Sequence, residues 1–244
     1  MKKFKTDLHI HSCLSPCGDL DMSPRKIVKK CREKGLDIIA LCDHNSAENV
    51  APVVRLGETL GVRVLPGMEI NSREEVHSLA IFGQARQALA MQKIVYEALN
   101  GVNRPEFFGE QVRANEFDEV EGFNDRLLIG AVDLGLEEIV RAIHRLGGLC
   151  IASHVDRPSY SLLSQLGFVP PGVHLDGVEV SDPRWARGEG KGILKDLGLP
   201  VVTSSDAHFL GDIGRRVSFF LMKAPTLEEI RMALQGKSGR SVEM

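Results

Sequence analysis

Histidines and acidic residues recur in short groups along this chain, and imidazoles with carboxylates are the ligands that transition metals prefer. His9 and His11 are two residues apart on a predicted strand over residues 4–10, so their side chains share one face. Asp7 lies on the same face, where we expect it to orient a histidine from behind. A His-x-His pair is a weak signal in a chain with eight histidines, so position must add to it.

The remaining groups share a position at the ends of predicted strands. They are Asp43-His44 after strand 37–42, Glu69 in strand 62–70, His154 after strand 149–153, Glu179 in strand 177–180, and Asp206 with His208 after strand 201–203. In a parallel barrel the carboxyl ends of the strands meet on one face, so these residues are expected to converge there. From the residues alone, Glu179 is either a ligand or a partner of a ligand.

Three histidines fit this rule less well. His77 begins a predicted strand over residues 77–83 instead of ending one, so it is either a ligand or a core histidine. His144 lies inside a predicted helix and His174 in a Pro-Gly loop, and both are predicted to be structural or surface residues.

Apolar strands alternate with helices along the whole chain, which indicates an α/β fold with a parallel sheet covered by helices. A Gly-x-Gly-x-x-Gly turn is absent, which favours a closed barrel over a dinucleotide-binding sheet. We expect one domain over 1–244 with an insertion at about 101–131. Two clusters of β-forming residues in 110–131, with turn residues at Gly122 to Asp125, predict an inserted hairpin.

Composition sets limits on location and partners. The 244 residues carry a net charge of −3, and no apolar run approaches the 18 residues of a membrane span. Without a basic surface, the sequence predicts a small substrate and no duplex nucleic-acid footprint. Five scattered cysteines and the lack of a signal peptide predict a cytoplasmic protein with reduced thiols.

Taken together, the motifs resemble the PHP (polymerase and histidinol phosphatase) superfamily, and most closely its small stand-alone phosphoesterases. The resemblance rests on Asp7-Leu8-His9-Ile10-His11-Ser12, Gly18-Asp19, Cys42-Asp43-His44, Pro66-Gly67-Met68-Glu69, Ser153-His154 and Ser205-Asp206-Ala207-His208. It implies a distorted seven-stranded, TIM-like β/α barrel that holds two to three divalent metal ions.

The resemblance also implies which residues hold each ion. His9, His11, Glu69 and Asp206 would bind the first; Glu69 would bridge to a second at His77 and His154; Asp19, His44 and His208 would bind a third. Asp19 is aligned by its spacing before Pro24, because the loop around it is longer than in many members. The ions could be Mn, Zn or Fe.

The expected chemistry is hydrolysis of a phosphate ester by a metal-bridged hydroxide in a trinuclear site. Glu69, Asp206 and His208 would act in catalysis. The substrate would be a phosphorylated metabolite, a nucleotide or the 5′ end of a short oligonucleotide. Arg157, Arg73 and Asn45 are candidate substrate-binding residues, each of which could also be an ordinary loop residue.

Two other functions remain open at this stage. One is a non-catalytic regulatory module that binds metal on the same barrel, although the complete set of ligand types argues against it. The other is amidohydrolase-type chemistry, which usually adds a metal-bridging lysine near mid-chain. No lysine occurs between Lys93 and Lys191.

Overall fold

The computed structural model describes all of residues 1–244, and the predicted alternation of strands and helices forms most of it. The strands are β1 (Lys2–Ile10), β2 (Ile38–Leu41), β3 (Arg63–Asn71), β4 (His77–Ile81), β5 (Val112–Ala114), β6 (Val120–Phe123), β7 (Leu149–Ala152), β8 (Gly177–Glu179), β9 (Val201–Val202), β10 (Ser218–Met222) and β11 (Ser241–Glu243). The helices are α1 (Pro24–Glu33), α2 (Val50–Leu60), α3 (Ala85–Ala98), α4 (Pro105–Phe108), α5 (Leu136–Arg145), α6 (Leu162–Gln165), α7 (Pro183–Arg187), α8 (Gly190–Leu197) and α9 (Leu227–Leu234). Each helix is too short or too polar to span a bilayer.

Nine strands form one sheet in the order β11-β10-β1-β2-β3-β4-β7-β8-β9, and the sheet curls into a nearly closed barrel. The segment after β9 returns to β1, where Ile10 and Ala207 form a parallel bridge. The α/β barrel class is therefore confirmed. The main sheet has two strands more than expected, and its last two, β10 and β11, pair antiparallel beside β1.

The barrel is mixed, although the apolar strands predicted a parallel sheet. Strands β1, β2 and β3 are parallel to one another, as are β7, β8 and β9, while β4 runs antiparallel to both of its neighbours. The amino end of β4 therefore lies at the same mouth as the carboxyl ends of six parallel strands. The residue that begins β4 is therefore placed at the mouth.

Both faces of the barrel strands are buried. Ile38 and Ala40 face an inner cluster of 17 buried apolar residues, while Ile39 and Leu41 face the 43-residue cluster that includes residues of the helices. Ile230 and Leu234 of α9 belong to the inner cluster, so this helix contributes to the barrel core. The polar mouth is thereby carried on a frame held by apolar burial.

The predicted hairpin is present, but its turn lies at different residues from those expected. Strands β5 and β6 form a separate two-stranded sheet, and the turn between them is at 115–119. The Asn115 side chain accepts hydrogen bonds from the backbone N–H groups of Phe117 and Glu119, and Asp118 adopts a left-handed φ of 66°. This Asx-type turn replaces the one expected at Gly122.

We predict that Leu8→Ala lowers the free energy of unfolding by about 2–5 kcal/mol, because it opens a cavity in the barrel interior. Leu8 is 1% exposed. The matched control is Leu89→Ala on α3, where Leu89 is 39% exposed and the change should stay within about 0.5 kcal/mol. Urea unfolding followed by circular dichroism measures both, and equal small losses would contradict the described core.

Candidate metal centre and active site

The Glu69 carboxylate, near the carboxyl end of β3, lies at the centre of the mouth and is 1% exposed. Five imidazoles surround it. Its Oε1 lies 3.1 Å from His77 Nδ1, 3.2 Å from His154 Nε2 and 3.4 Å from His9 Nε2, and its Oε2 lies 3.2 Å from His44 Nδ1 and 3.6 Å from His11 Nε2. A carboxylate in this position can bridge two cations, one on each oxygen.

Asp206, in the loop after β9, supplies a second buried carboxylate. Its Oδ1 lies 3.2 Å from His11 Nε2, 3.3 Å from His9 Nε2 and 3.6 Å from His208 Nδ1. Three groups of side chains have their ligand atoms within 4.8 Å of one another: His9, His11 and Asp206; His44, Glu69 and His77; and His11, His44 and His208.

Several of these buried ligand atoms have no hydrogen-bond partner. They include Glu69 Oε1, Asp206 Oδ1, His44 Nδ1 and His77 Nδ1. Buried polar atoms are almost always paired, so unpartnered atoms that converge on one place need another explanation. A mixed set of imidazole nitrogens and carboxylate oxygens fits divalent Zn, Mn or Fe. The residues present therefore fit the metals that the sequence predicts.

The pKa shifts of these residues also support a metal site. Burial lowers the pKa of His11 to about 4, so its ring is neutral. Burial opposes ionisation of Glu69, but the nearby His77 and His9 outweigh it and hold the pKa of this carboxyl well below its usual range. For His9, burial is outweighed by Asp206 and Glu179, which help to raise its pKa well above normal. A divalent cation would displace the proton from the His9 ring, because an imidazole nitrogen must be deprotonated to be a ligand.

His77 occupies the mouth although it begins a strand. It pairs with Asn71 across the antiparallel β3–β4 ladder, so the first residue of β4 lies at the carboxyl end of β3. The structure thus brings His77 next to Glu69, whereas sequence position alone left its place open. His144 instead binds Asp176 at 2.8 Å, and His174 is exposed in a loop, so neither joins the cluster.

Residues behind the cluster orient the histidines. Glu179 Oε2 lies 2.9 Å from His9 Nδ1, and it also accepts the backbone N–H of His154. Ser15 donates to Asp43 at 2.7 Å, so its hydroxyl oxygen is free to accept from His11 Nδ1 at 3.0 Å. Both contacts favour the tautomer that leaves Nε2 as a ligand.

Asp7 does not orient a histidine ring, contrary to expectation. Its carboxylate accepts the backbone N–H groups of Ser205 and Gly214, each at 2.9 Å. Asp7 instead attaches the Asp206-bearing loop to β1.

Two predicted ligands lie outside these groups: His154, which nevertheless lies 3.2 Å from Glu69, and Asp19, whose side chain is held elsewhere. Asp19 Oδ1 accepts the backbone N–H of Asp21 at 2.7 Å, and its own N–H donates to the carbonyl of His208. The side chain stabilises the turn before α1. The third group is formed by His11, His44 and His208 instead.

Two predicted substrate-binding residues, Asn45 and Arg73, are not among the residues that line the pocket. Asn45 is fully buried, and its amide donates to the carbonyls of Leu128 and Gly130, which ties the insertion to the barrel. Arg73 pairs with Asp133 at 2.7 Å on the exposed surface. In each case a local partner satisfies the side chain.

Arg157 does line the mouth. Its Nη2 lies 2.6 Å from Asp206 Oδ2 and its Nε donates to Ser181 Oγ at 3.1 Å, which leaves Nη1 without a protein partner. Sequence reasoning missed Tyr160, which stacks on His77 with ring centroids 4.9 Å apart, and Ile129 of the insertion. The pocket lining is His44, Glu69, His77, Ile129, His154, Arg157, Ser159, Tyr160, Asp206 and His208.

Left-handed backbone marks the same region. Asn45, His154 and Asp206 have φ values of 51°, 31° and 50°. Non-glycine residues in this region cost of order 1–3 kcal/mol each and persist where the surroundings impose them, often at functional sites. Asn, Asp and His are among the non-glycine residues enriched in this region.

Family models match two parts of the chain: the PHP domain over residues 7–165 and a PHP-associated domain over residues 185–238. The chain therefore belongs to the PHP domain family, as the motifs indicated. Family membership supports the expected class of enzyme, a metal-dependent hydrolase of phosphate esters.

Two relatives align over about a third of the chain. An uncharacterized protein of Methanocaldococcus jannaschii is 35% identical over 78 residues, which is 29% of this chain and 46% of that protein. The 5′-3′ exoribonuclease of Haemophilus influenzae is 30% identical over 79 residues, 32% of this chain and 28% of the enzyme. Each alignment spans less than half of the relative's length.

Endonuclease Q of Pyrococcus furiosus shares the fold, with a TM-score of 0.72 and 22% identity over 99% of this chain and 58% of that chain. A second endonuclease Q structure, with a TM-score of 0.70 and 22% identity over 98% of this chain and 58% of that chain, is a complex with a 27-mer duplex whose abasic lesion lies at the active site. The expectation of a small substrate and no duplex footprint is therefore wrong. Net charge describes the whole chain, whereas a duplex is bound by one local surface.

We predict that Glu179→Gln weakens binding of divalent metal by about 10- to 100-fold, because the ring of His9 loses its charged partner. Titration calorimetry with Mn²⁺ or Zn²⁺ measures the affinity. The control is Asp176→Asn, which removes the corresponding carboxylate from His144 outside the mouth. Equal affinities in the wild type and in Glu179→Gln would show that His9 is oriented without Glu179.

Proposed function

We propose that this PHP-domain protein hydrolyses phosphate esters with two or three divalent metal ions at the barrel mouth. The observation that carries the proposal is the convergence of five imidazoles on Glu69, with unpartnered oxygens on both Glu69 and Asp206. No serine or cysteine nucleophile is required by this arrangement.

The proposed ligand sets follow the family resemblance and differ in part from the three observed groups, which place His44 with Glu69 and His77, and His11 with His44 and His208. His9, His11, Glu69 and Asp206 would hold one ion, and Glu69, His77 and His154 a second. A third ion would use His44 and His208, and Asp19 would join them only if its side chain turned away from Asp21. Two ions are therefore the core of the proposal.

Divalent ions at such a centre lower the pKa of water and neutralise the charge that develops on phosphate oxygens. The protein's own groups complete the site. With two ions bound, His208 would hold no metal, and we assign its ring, which is 21% exposed, a hydrogen bond to the leaving oxygen. Arg157 would donate its free Nη1 to the substrate phosphate while Nη2 stays on Asp206.

Nucleic acid is the substrate class we propose. The exoribonuclease is a relative by sequence, and endonuclease Q shares the fold and holds a duplex at its active site. We also propose that 1–244 acts as one domain, since β9 and β10 of the PHP-associated region belong to the same sheet as β1 to β3.

Metal analysis of protein purified without chelator, followed by a hydrolysis screen, tests the proposal. The screen contains single- and double-stranded oligonucleotides, phosphate monoesters and a generic amide. We expect the purified protein to contain bound metal and to hydrolyse phosphate esters. A chelator should abolish this hydrolysis. Hydrolysis of the amide alone would favour amidohydrolase chemistry, and bound metal without any hydrolysis would favour a regulatory module.

We predict that His9→Ala, Glu69→Ala and Asp206→Ala each lower hydrolysis by more than about 100-fold, since a lost ligand should cost more than a lost partner of a ligand. The fold should persist because the core is apolar and lies apart from the mouth. Circular dichroism checks the fold, and His174→Ala in an exposed loop is the control. Near-normal turnover of any of the three in metal-replete buffer would refute the ligand assignment.

For Arg157 we predict that Arg157→Ala chiefly raises KM, with a loss in kcat/KM of about 10- to 200-fold, and that Arg157→Lys recovers part of it. Metal content should not change, because arginine is not a ligand. Arg73→Ala, remote from the mouth, is the control. A fall in metal content instead would mean that Arg157 acts by holding Asp206.

A further inference from the structure

A second arginine, Arg216, is hydrogen-bonded two residues from Asp206, and its guanidinium forms no ion pair within the protein. Arg216 precedes β10 and is partly buried. Its one hydrogen bond to the protein runs from Nε to the carbonyl of Ser204 and is long, at 3.4 Å. No carboxylate oxygen lies within 4 Å of it, so both terminal nitrogens are free of protein partners. The adjacent Arg215 is different, because it is exposed and paired with Asp212 at 3.1 Å.

The neighbourhood of Arg216 connects it to the site. Ser204 is two residues before Asp206. Burial lowers the pKa of Arg216, and the positive charges of Arg215 and Arg157 lower it further. The nearby acids are already engaged: Asp206 contacts Arg157 and the histidines, and Glu179 contacts His9. The protein itself therefore supplies no anion to pair with the guanidinium of Arg216.

We propose that Arg216, beside Arg157, forms a second anion subsite that binds the phosphate group next to the one being hydrolysed. The planar guanidinium offers paired donors that match two phosphate oxygens. This inference rests on the proposed function and deepens it, because it assigns the substrate at least two phosphates. In a nucleic-acid strand the second group is the neighbouring phosphodiester, and in a small ester it is a second phosphate on the same molecule.

Paired substrates that differ by one phosphate test the subsite. For the strand, the pair is the thymidine dinucleotide with one phosphodiester and the trinucleotide with two. For small esters, the pair is thymidine 5′-phosphate and thymidine 3′,5′-bisphosphate. The measured quantity is the ratio of kcat/KM for the two-phosphate over the one-phosphate substrate in each pair.

We expect Arg216→Ala to lower this ratio by about 10- to 100-fold, mainly through KM, and Arg216→Lys to restore part of it. Arg215→Ala is the matched control and should keep the wild-type ratio. A fall confined to the oligonucleotide pair assigns the subsite to a strand, and one confined to the thymidine phosphates assigns it to a small substrate. An unchanged ratio in both pairs overturns the proposal.

Binding without metal separates this inference from the proposed function. A fluorescent oligothymidylate is titrated into chelator-treated protein at several salt concentrations. Loss of one phosphate contact in Arg216→Ala should reduce the slope of log K against log salt by about 0.7. An unchanged slope overturns the subsite whether or not the protein hydrolyses any ester. If the slopes of the wild type and Arg216→Ala differ as expected, but the wild type hydrolyses none of the substrates, only the proposed function is overturned.

Discussion

The buried carboxylate of Glu69 is the constraint on which the mouth depends. Removing an ionised carboxylate from water is costly unless opposite charge or hydrogen bonds replace its solvation. Here Glu179 and Asp206 add two more buried carboxylates within reach of His9. The protonated ring of His9 and the guanidinium of Arg157 cannot balance three such charges, whereas divalent cations can. The geometry of the mouth thus fits divalent metal bound among these ligands, and the barrel supplies the rigidity that keeps the acids together.

Strand direction is what assembles the ligands from distant parts of the chain. Six parallel strands deliver residues from their carboxyl ends, and the antiparallel β4 delivers His77 from its amino end. Asp7 and Asp43 then fix the loops, and Ser15 and Glu179 fix the rings. The Asn45 amide joins the insertion to this frame, so that Ile129 becomes part of the pocket wall.

The sequence predicted the barrel class and most of the candidate ligands, because residues at strand ends converge in any β/α barrel. It left His77 undecided, since whether a strand is parallel or antiparallel is set by its neighbours. Arg73 and Asn45 do not line the pocket, because proximity along the chain does not reveal a competing local partner such as Asp133. The side-chain direction of Asp19 and the left-handed backbone at Asp206 likewise depend on tertiary contacts.

The prediction about duplex nucleic acid failed for a different physical reason. Composition averages charge over the whole surface, whereas Arg157 lines the pocket and its positive charge is felt at Arg216. A net charge of −3 is therefore compatible with a local surface that accepts phosphate. A surface of this kind is found only when the fold has placed the loops after β7 and before β10 side by side.

Anomalous diffraction from crystals of the metal-loaded protein tests the central claim most directly. The account predicts at least two ions about 3.5–4 Å apart, as in two-metal sites generally, with the two oxygens of Glu69 on different ions. His9 and Asp206 should contact one ion, and His77 and His154 the other. A single ion, or a Glu69 side chain that points away from both positions, would contradict it.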